Sequence, residues 1–505
     1  MIDYLTHFLI LYVLSAQTMV FLRKINKSSM HRCKKCDVEF RKKNTLEQHI
    51  QYIHKSDFPS VKKILILGGG FGGVNILRKI QNIFQDKVNV DISIVNQDNF
   101  FLFTPMLPEV ASGMIHPRDI SIPIRTFCKR AKFYQAVVSS IDLEQKLVTI
   151  TRLFDGKVHA LEYDYLILSM GSITNFFGNK NIEKHSFTIK SIEDAIGIRN
   201  HSINMLENAG QTSDPILQQK LMTFTVVGGG FAGVETIGEI NHLIRESAAR
   251  MYPNINSEKI NMVLVSSKNG ILPEVTEELS SKAMKYLEKN GVQILTNTKA
   301  IDADEDYVLL DNGTKIPCTT LIWTGGVTVD PVITELKCEH GKSGKVQVDK
   351  YLRLIGHPNV FALGDCAEII DSTTGKPYPP TAQHAIHQSQ TLSHNLNVSL
   401  TGKGSMKEFS FHSKGMMAII GKRNAIVSAF GYNFQGVIPW MIWRMYYVLQ
   451  MPALGKRIKV ILDWTVDSFF KRDLTAYGQI KKKNLTKVDI KDEVPSLRDL
   501  LFPDL

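Results

Sequence analysis

Cysteine is scarce in this chain, with six in 505 residues. Cys128, Cys318, Cys338 and Cys366 are scattered, no CxxxxC pair occurs, and only Cys33 and Cys36 stand close together. A disulfide framework is excluded, and the usage fits a reducing, cytoplasmic compartment. Long apolar runs are equally rare: residues 4–22 form a single stretch with no charge except on His7. The chain is therefore not a bundle of membrane helices. Nor is the composition biased, at 44% hydrophobic, 22% charged, 34 Gly and 18 Pro. That excludes a disordered or collagen-like chain, and the length suggests about three domains.

What is present in excess is positive charge. Sixty Lys and Arg against 49 Asp and Glu give +11, a surplus that points to nucleic acid or phospholipid. It sits in two patches, a local +8 over residues 23–63 and +4 over residues 440–472, leaving about −1 elsewhere. Anionic lipid accounts for both patches, whereas DNA accounts only for the first.

The run over residues 4–22 is long enough for one membrane-spanning anchor, with Arg23, Lys24 and Lys27 holding its end in the cytoplasm. The alternative is a later start at Met19 or Met30. Next come Cys33, Cys36, His49 and His54, spaced by two, twelve and four residues, with Phe40 and Leu46 between them. Thiolates and imidazoles at these intervals can close a tetrahedral Zn²⁺ site. The segment resembles a two-Cys, two-His zinc finger, a small ββα unit. A single finger reads only about three base pairs, so weak phosphate binding or protein docking suits it better than sequence-specific regulation.

Beyond Ser60 the sequence KKILILGGGFGGVNILRKI reads strand, glycine turn, helix. Gly68, Gly70 and Gly73 satisfy GxGxxG in the context that gives the motif meaning, with a pyrophosphate resting on the helix N-terminus. The pattern recurs 160 residues later with Gly228, Gly230 and Gly233. Both halves lack the acid that normally ends the second strand and binds a ribose. Asn96 holds that place in the first half. In the second stand Ser266, Ser267 and Lys268; without a carboxylate a 2′-phosphate is not repelled, Ser266 with Lys268 could bind it, and NADPH is possible beside NADH. A further apolar strand ends in Gly364-Asp365.

From Lys62 to about Tyr477 the chain resembles the type II NADH dehydrogenases. The resemblance rests on the glycine turns and on NFFLFTPMLPEVASG (99–113), YDYLILSMGSITNFFG (163–178), TLIWTGGV (320–327) and PPTAQHAIHQ (379–388). It implies an α/β fold of two Rossmann-like domains, the NAD domain inserted in the FAD domain. FAD is then expected at the Gly68 turn, with Asp365 at its ribityl or pyrophosphate region, and NADH at the Gly228 turn. Implied near the flavin are Phe103, Thr104, Pro105, Gly171 and Ala382, with Gly325 on the nucleotide side. Glu235, Gln383 and His387 are the implied catalytic residues, with His384 as an alternative to His387. The implied activity passes hydride from NADH to flavin and two electrons on to quinone, without proton pumping. Competing readings are a reductase of a soluble redox protein, a sulfide:quinone oxidoreductase, and a nucleic-acid-binding redox sensor.

Near the C-terminus, Trp440, Trp443 and Tyr447 recur at helical spacing around Arg444. Ile458, Ile461, Leu462, Thr465 and Phe469 then share one helical face, opposite a Lys459, Asp463, Asp467 and Lys471 stripe expected to form intrahelical ion pairs. Such helices suit a membrane interface, with a homodimer contact or an ordinary core-facing helix as the alternatives. The expected segments are an anchor (1–27), the finger (28–56), FAD parts (62–175 and 327–400), a NAD(P)H domain (176–326) and a membrane or dimer region (401–505). The expected location is the cytoplasmic face of the cell membrane.

Overall fold

The computed structural model describes residues 31–33, 38–40, 45–46, 61–85, 89–341, 343–412, 415–470 and 472–476. The expected anchor lies outside these residues, as do Cys36, His49 and His54 of the expected finger. Within the finger segment, His31–Arg32 pairs antiparallel with Glu39–Phe40, and Cys33 is buried. Among the described residues no helix is long and apolar enough to cross a membrane.

The chain opens its main sheet with β1 (Lys62–Leu67), whose last four residues are buried. A continuous apolar run of this kind belongs to a parallel strand covered on both faces. Helix α1 (Phe71–Ile83) follows the first glycine turn and leads to β2 (Val90–Asn96). A short helix α2 (Leu107–Ala111) precedes a meander of β3 (Lys132–Asp142), β4 (Leu147–Arg152) and β5 (Val158–Glu162). Strand β6 (Tyr165–Leu168) then re-enters beside β1.

Helix α3 (Ile192–Gln211) leads to a second sheet. Strand β7 (Thr223–Val227), helix α4 (Phe231–Met251), β8 (Asn261–Val265), β9 (Val292–Leu295) and β10 (Thr320–Trp323) build it in the order β9-β8-β7-β10, all parallel. The chain then returns to the first sheet. Strand β11 (Arg353–Leu354) pairs with β12 (His357–Ala362), and β12 lies parallel to β6, Ala362 opposite Leu168. The completed order is β11-β12-β6-β1-β2-β3-β4-β5. The second dinucleotide-type unit is thus inserted between strands of the first.

Helix α5 (Ala382–Thr401) packs on α1 and is followed by an antiparallel sheet of β13 (Gly415–Gly421), β14 (Asn424–Ala429) and β15 (Tyr432–Gly436). Gly238 on α4 lets β13 approach closely, since a Cβ there would lie 2.8 Å from the Ile420 carbonyl. Helices α6 (Val437–Gln450) and α7 (Leu454–Phe469) close the described chain.

The structure decides how these two helices face. On α6 the aromatic stripe turns inward: Trp443 is 1% exposed, and Arg444 is buried with its guanidinium over the ring of Trp440. The outward face carries Ile438, Met441, Ile442, Met445 and Leu449 instead. A buried guanidinium needs polar and aromatic cover, which fixes which side of the helix faces the body. On α7 the closest partners of the charged stripe among the described residues lie outside the helix, although Lys459 also acts on Asp463 from one turn away, and Lys471 lies outside the described residues. Lys459 lies 3.9 Å from Asp119, Asp463 accepts from the His116 amide, and Asp467 pairs with Arg472. Those partners lie beyond the helix's own turns, in the loop it packs against and just past its end.

Candidate functional site

Two glycine turns set two open helix ends. Gly68 has φ +99°, and a Cβ on it would lie 2.2 Å from the Ser169 carbonyl oxygen. A Cβ on Gly73 would fall 1.9 Å from the Gly68 oxygen, so α1 seats directly on the turn. Gly70, by contrast, faces open space and caps α1 with no side-chain hydrogen bond. Uncapped N–H groups, no acid in the first turn and room beside Gly70 fit a pyrophosphate. The second turn repeats the design. Gly228 (φ +124°) crowds Thr324, Gly233 crowds Gly228, and Gly230 caps α4 facing open space.

One clamp found here had no signal in the motif itself. Ser169 donates its hydroxyl to the Leu67 carbonyl at 2.7 Å, and Thr324 does the same to Val227 at 2.9 Å. Each hydroxyl locks the strand ahead of its glycine turn to the neighbouring parallel strand. Asn96 shapes the first turn, its Oδ1 accepting from the Gly69 amide at 2.7 Å and its Nδ2 donating to the Asp98 carbonyl. Ser266, in the equivalent place, donates to the Gly270 carbonyl at 2.7 Å.

The returning strand β12 delivers Gly364 and Asp365 beside β6. The Gly364 amide donates to Gln388 Oε1 at 2.8 Å, tying this turn to α5. Asp365 accepts from Ser172 at 2.7 Å, and Ser172 accepts in turn from Lys190 at 3.0 Å. Burial pushes the Lys190 ammonium down, while Asp365 acts to raise it. Gly171 (φ +72°) sits in this turn with open space around it. Ser172, Lys190 and Gln388 were not singled out from sequence, although Ser172 lies within the 163–178 segment.

Helix α5 begins at Ala382, capped by Thr381, which accepts from the His384 amide and meets the His384 ring at 2.7 Å. His384 is buried, and burial together with His387 pushes its imidazole down. His387 stacks on Phe411 at 4.1 Å. Gln383 is half-buried with no side-chain hydrogen bond among the described residues. A cleft of about 230 Å³, open solvent included, runs past Gly364, Asp365, Thr381, His384 and Gln388. Thr104 and Pro105 lie in one tight turn behind Phe103, which packs against Phe71 and, through Tyr447, against α6.

Glu235 projects from the second turn of α4, where its Oε1 accepts from the Ile419 amide at 3.1 Å. Burial pushes its carboxyl up to about 8, and Glu109 and Glu239 reinforce the shift; the Ile419 amide and the Trp443 indole oppose it. Glu109 on α2, 1% exposed, is likewise pushed up to about 8 by burial, against the pull of Arg444. Its Oε1 accepts from the Trp464 indole at 3.1 Å. Glu239 accepts from Ser112 at 2.9 Å and faces Arg472 at 3.8 Å, and burial raises its carboxyl too. Three carboxylates and two guanidiniums thus share one buried cluster. Glu235 was the only member whose role the sequence suggested.

Residues 62–389 match the family described as pyridine nucleotide-disulphide oxidoreductase, and residues 413–473 match the NDH2 C-terminal domain. A Dictyostelium discoideum protein named "Probable NADH dehydrogenase" is 30% identical over 421 residues, covering 82% of this chain and 91% of its own. The chain belongs to the type II NADH dehydrogenase family. A type II NADH:quinone oxidoreductase of Mycobacterium tuberculosis is also 30% identical, over 81% of this chain and 88% of its own. In fold, the chain is similar to the structure of NDH2 from Plasmodium falciparum in complex with NADH. The TM-score is 0.76 at 23% identity, covering 82% of this chain and all of that one.

In this type II NADH dehydrogenase the cysteine beside the candidate flavin site is not placed for thiol chemistry. Cys366 adjoins Asp365 but is fully buried, donates to the Leu168 and Leu363 carbonyls, and has its thiol pushed up to about 11 by burial. Cys128, Cys318, Cys338 and Cys366 form no disulfide, and among the described residues no group of three or more His, Cys, Asp or Glu is placed to hold a metal.

Proposed function

We propose that the protein binds FAD at the Gly68 turn and NADH at the Gly228 turn, and passes two electrons to a quinone at a membrane surface without pumping protons. Gly68, Gly70, Gly73, Gly364 and Asp365 would hold FAD, with Thr104, Pro105, Gly171 and Ala382 around its ring. Gly228, Gly230, Gly233 and Gly325 would hold the nicotinamide nucleotide. FAD, when bound, supplies acceptance of hydride and release of electrons. The residues supply the rest. Ser172 and Lys190 orient Asp365, and the open ends of α1 and α4 balance phosphate charge.

Quinone reduction by NADH consumes one proton from outside the reactants in each turnover. Glu235 suits that demand, keeping a proton up to about pH 8 while the Ile419 amide fixes one of its oxygens. Gln383 and His387, on the first turns of α5, are proposed to meet the quinone. The boundaries proposed are 62–175 and 327–400 for FAD, 176–326 for the nicotinamide nucleotide and 401–505 for membrane attachment.

The observation that carries the membrane part is the outward apolar face of α7. Ile458, Ile461, Leu462, Val466 and Phe469 are 48–80% exposed, continuous in chain with the exposed apolar face of α6. Apolar patches of this extent mark an interaction surface, and the local +4 favours anionic lipid. We place attachment on the cytoplasmic face, in keeping with the sparse cysteines. The N-terminal segment supports a separate Zn²⁺ site on Cys33, Cys36, His49 and His54; the buried Cys33 beside its two short strands favours it. NADH oxidation should be coupled to reduction of a lipid-soluble quinone in vesicles to which the protein sediments. Vesicle-bound protein that oxidises NADH only with a soluble protein acceptor would overturn the reading.

A further inference from the structure

The specificity of the nucleotide site turns on the loop after β8. In Rossmann-like units a carboxylate at the end of the second strand binds the adenosine ribose diol and repels a 2′-phosphate. Here that position is Ser266, set so close to the second glycine turn that a Cβ on Gly229 would lie 2.5 Å from its Oγ. Ser266 is 2% exposed and its hydroxyl is engaged, donating to the Gly270 carbonyl and accepting from the Lys268 amide at 3.3 Å. Two further bonds from the next strand's loop pin the same turn: Thr298 N–H to the Ser266 carbonyl and Asn297 N–H to that of Lys268. Ser266 therefore folds the loop and leaves recognition to its tip.

That tip is Ser267, Lys268 and Asn269, all exposed. Among the described residues Lys268 has no carboxylate within ion-pair distance, and the next acid along the chain is Glu274. A free ammonium and a free hydroxyl thus stand on a rigid loop where a diol-binding acid is normally found. We propose that this site accepts NADPH as well as NADH, with the 2′-phosphate bound by the Lys268 ammonium and the Ser267 hydroxyl. The inference rests on the assignment of the nicotinamide nucleotide to the Gly228 turn. It makes Ser267 and Lys268 the residues that determine specificity. A phosphate dianion gains charge-assisted bonds from both groups, and among the described residues no carboxylate pairs with Lys268 to compete for it.

Two measurements on the full chain test this. Calorimetric titration with adenosine 2′,5′-bisphosphate and with 5′-AMP should show tighter binding of the bisphosphate, and Lys268→Ala should remove that preference. Steady-state kinetics should show NADPH oxidised, and in Lys268→Ala or Ser267→Glu the NADPH-to-NADH ratio of kcat/KM should fall by about tenfold or more. Equal binding of the two adenosine nucleotides, or a ratio that Lys268→Ala leaves unchanged, overturns the inference. Oxidation of NADH with NADPH inert also overturns it, while leaving the proposed function intact. If neither nucleotide is oxidised, the assigned activity fails and the binding comparison still decides the role of Lys268.

Discussion

Arg444 Nη2 lies 3.5 Å from Glu109 Oε1, joining α6 to α2 across 335 residues of sequence. The guanidinium sits over the rings of Trp440 and Trp464, 3.8 and 4.5 Å from their centroids. The helices that carry the outward apolar face are thereby locked to the element that follows Thr104 and Pro105. Arg444→Met leaves Glu109 buried without its cation, which should cost roughly 3 kcal/mol where Glu109 is ionised. Urea denaturation should show that loss near pH 9 and a smaller one near pH 6, where the carboxyl takes up a proton. An equal loss at both values would contradict the pairing.

The buried carboxyls also set how stability varies with pH. Glu109 and Glu235 hold protons up to about pH 8, against an ordinary value of 4.5. Between those values the folded chain binds more protons than the unfolded one, so stability falls as pH rises. Each group contributes a slope of up to about 1.4 kcal/mol per pH unit, which vanishes above the folded pKa. Glu109→Gln should flatten the slope between pH 5 and 8, read from denaturation midpoints. A slope unchanged by the substitution would show that Glu109 is ionised in the folded protein.

Glu235→Gln keeps the shape of the side chain and removes its proton chemistry. If Glu235 supplies the proton of quinone reduction, kcat should fall by about a hundredfold, the lower end for a positioned acid. The native chain should lose rate above about pH 8, where Glu235 gives up its proton, and that alkaline limb should disappear in the variant. A variant with native kcat and the same alkaline limb would assign that limb elsewhere.

Much of the nucleotide fold is legible in the sequence because its requirements are local. A glycine turn with φ +99° at Gly68 and no room for a Cβ at Gly73 needs glycine whatever surrounds it. The return of β12 to the first sheet also matches the inserted domain that the family resemblance implied. The buried charge cluster was not legible. Glu109, Glu239, Arg444 and Arg472 meet only through tertiary packing, and no local period encodes that meeting. The facing of α6 stayed open for the same reason: aromatics at helical spacing suit a membrane or a core equally. The partner of Arg444 decides between them.

Membrane attachment should depend on apolar side chains that do no work in the core. Ile461 and Phe469 are 48% and 80% exposed. The double variant Ile461→Glu with Phe469→Glu should leave thermal stability within about 0.5 kcal/mol. It should abolish sedimentation with vesicles containing anionic lipid. Retained sedimentation would place the membrane contact on another surface.

The central claim is electron flow from a nicotinamide nucleotide at the Gly228 turn, through FAD at the Gly68 turn, to quinone. Anaerobic stopped-flow absorbance of the purified full chain tests it most directly. Mixing with NADH should bleach the flavin band, and a second mix with a quinone analogue should restore it at a rate that sustains turnover. Protein without a flavin band, or a bleached flavin that quinone fails to restore, would contradict the account.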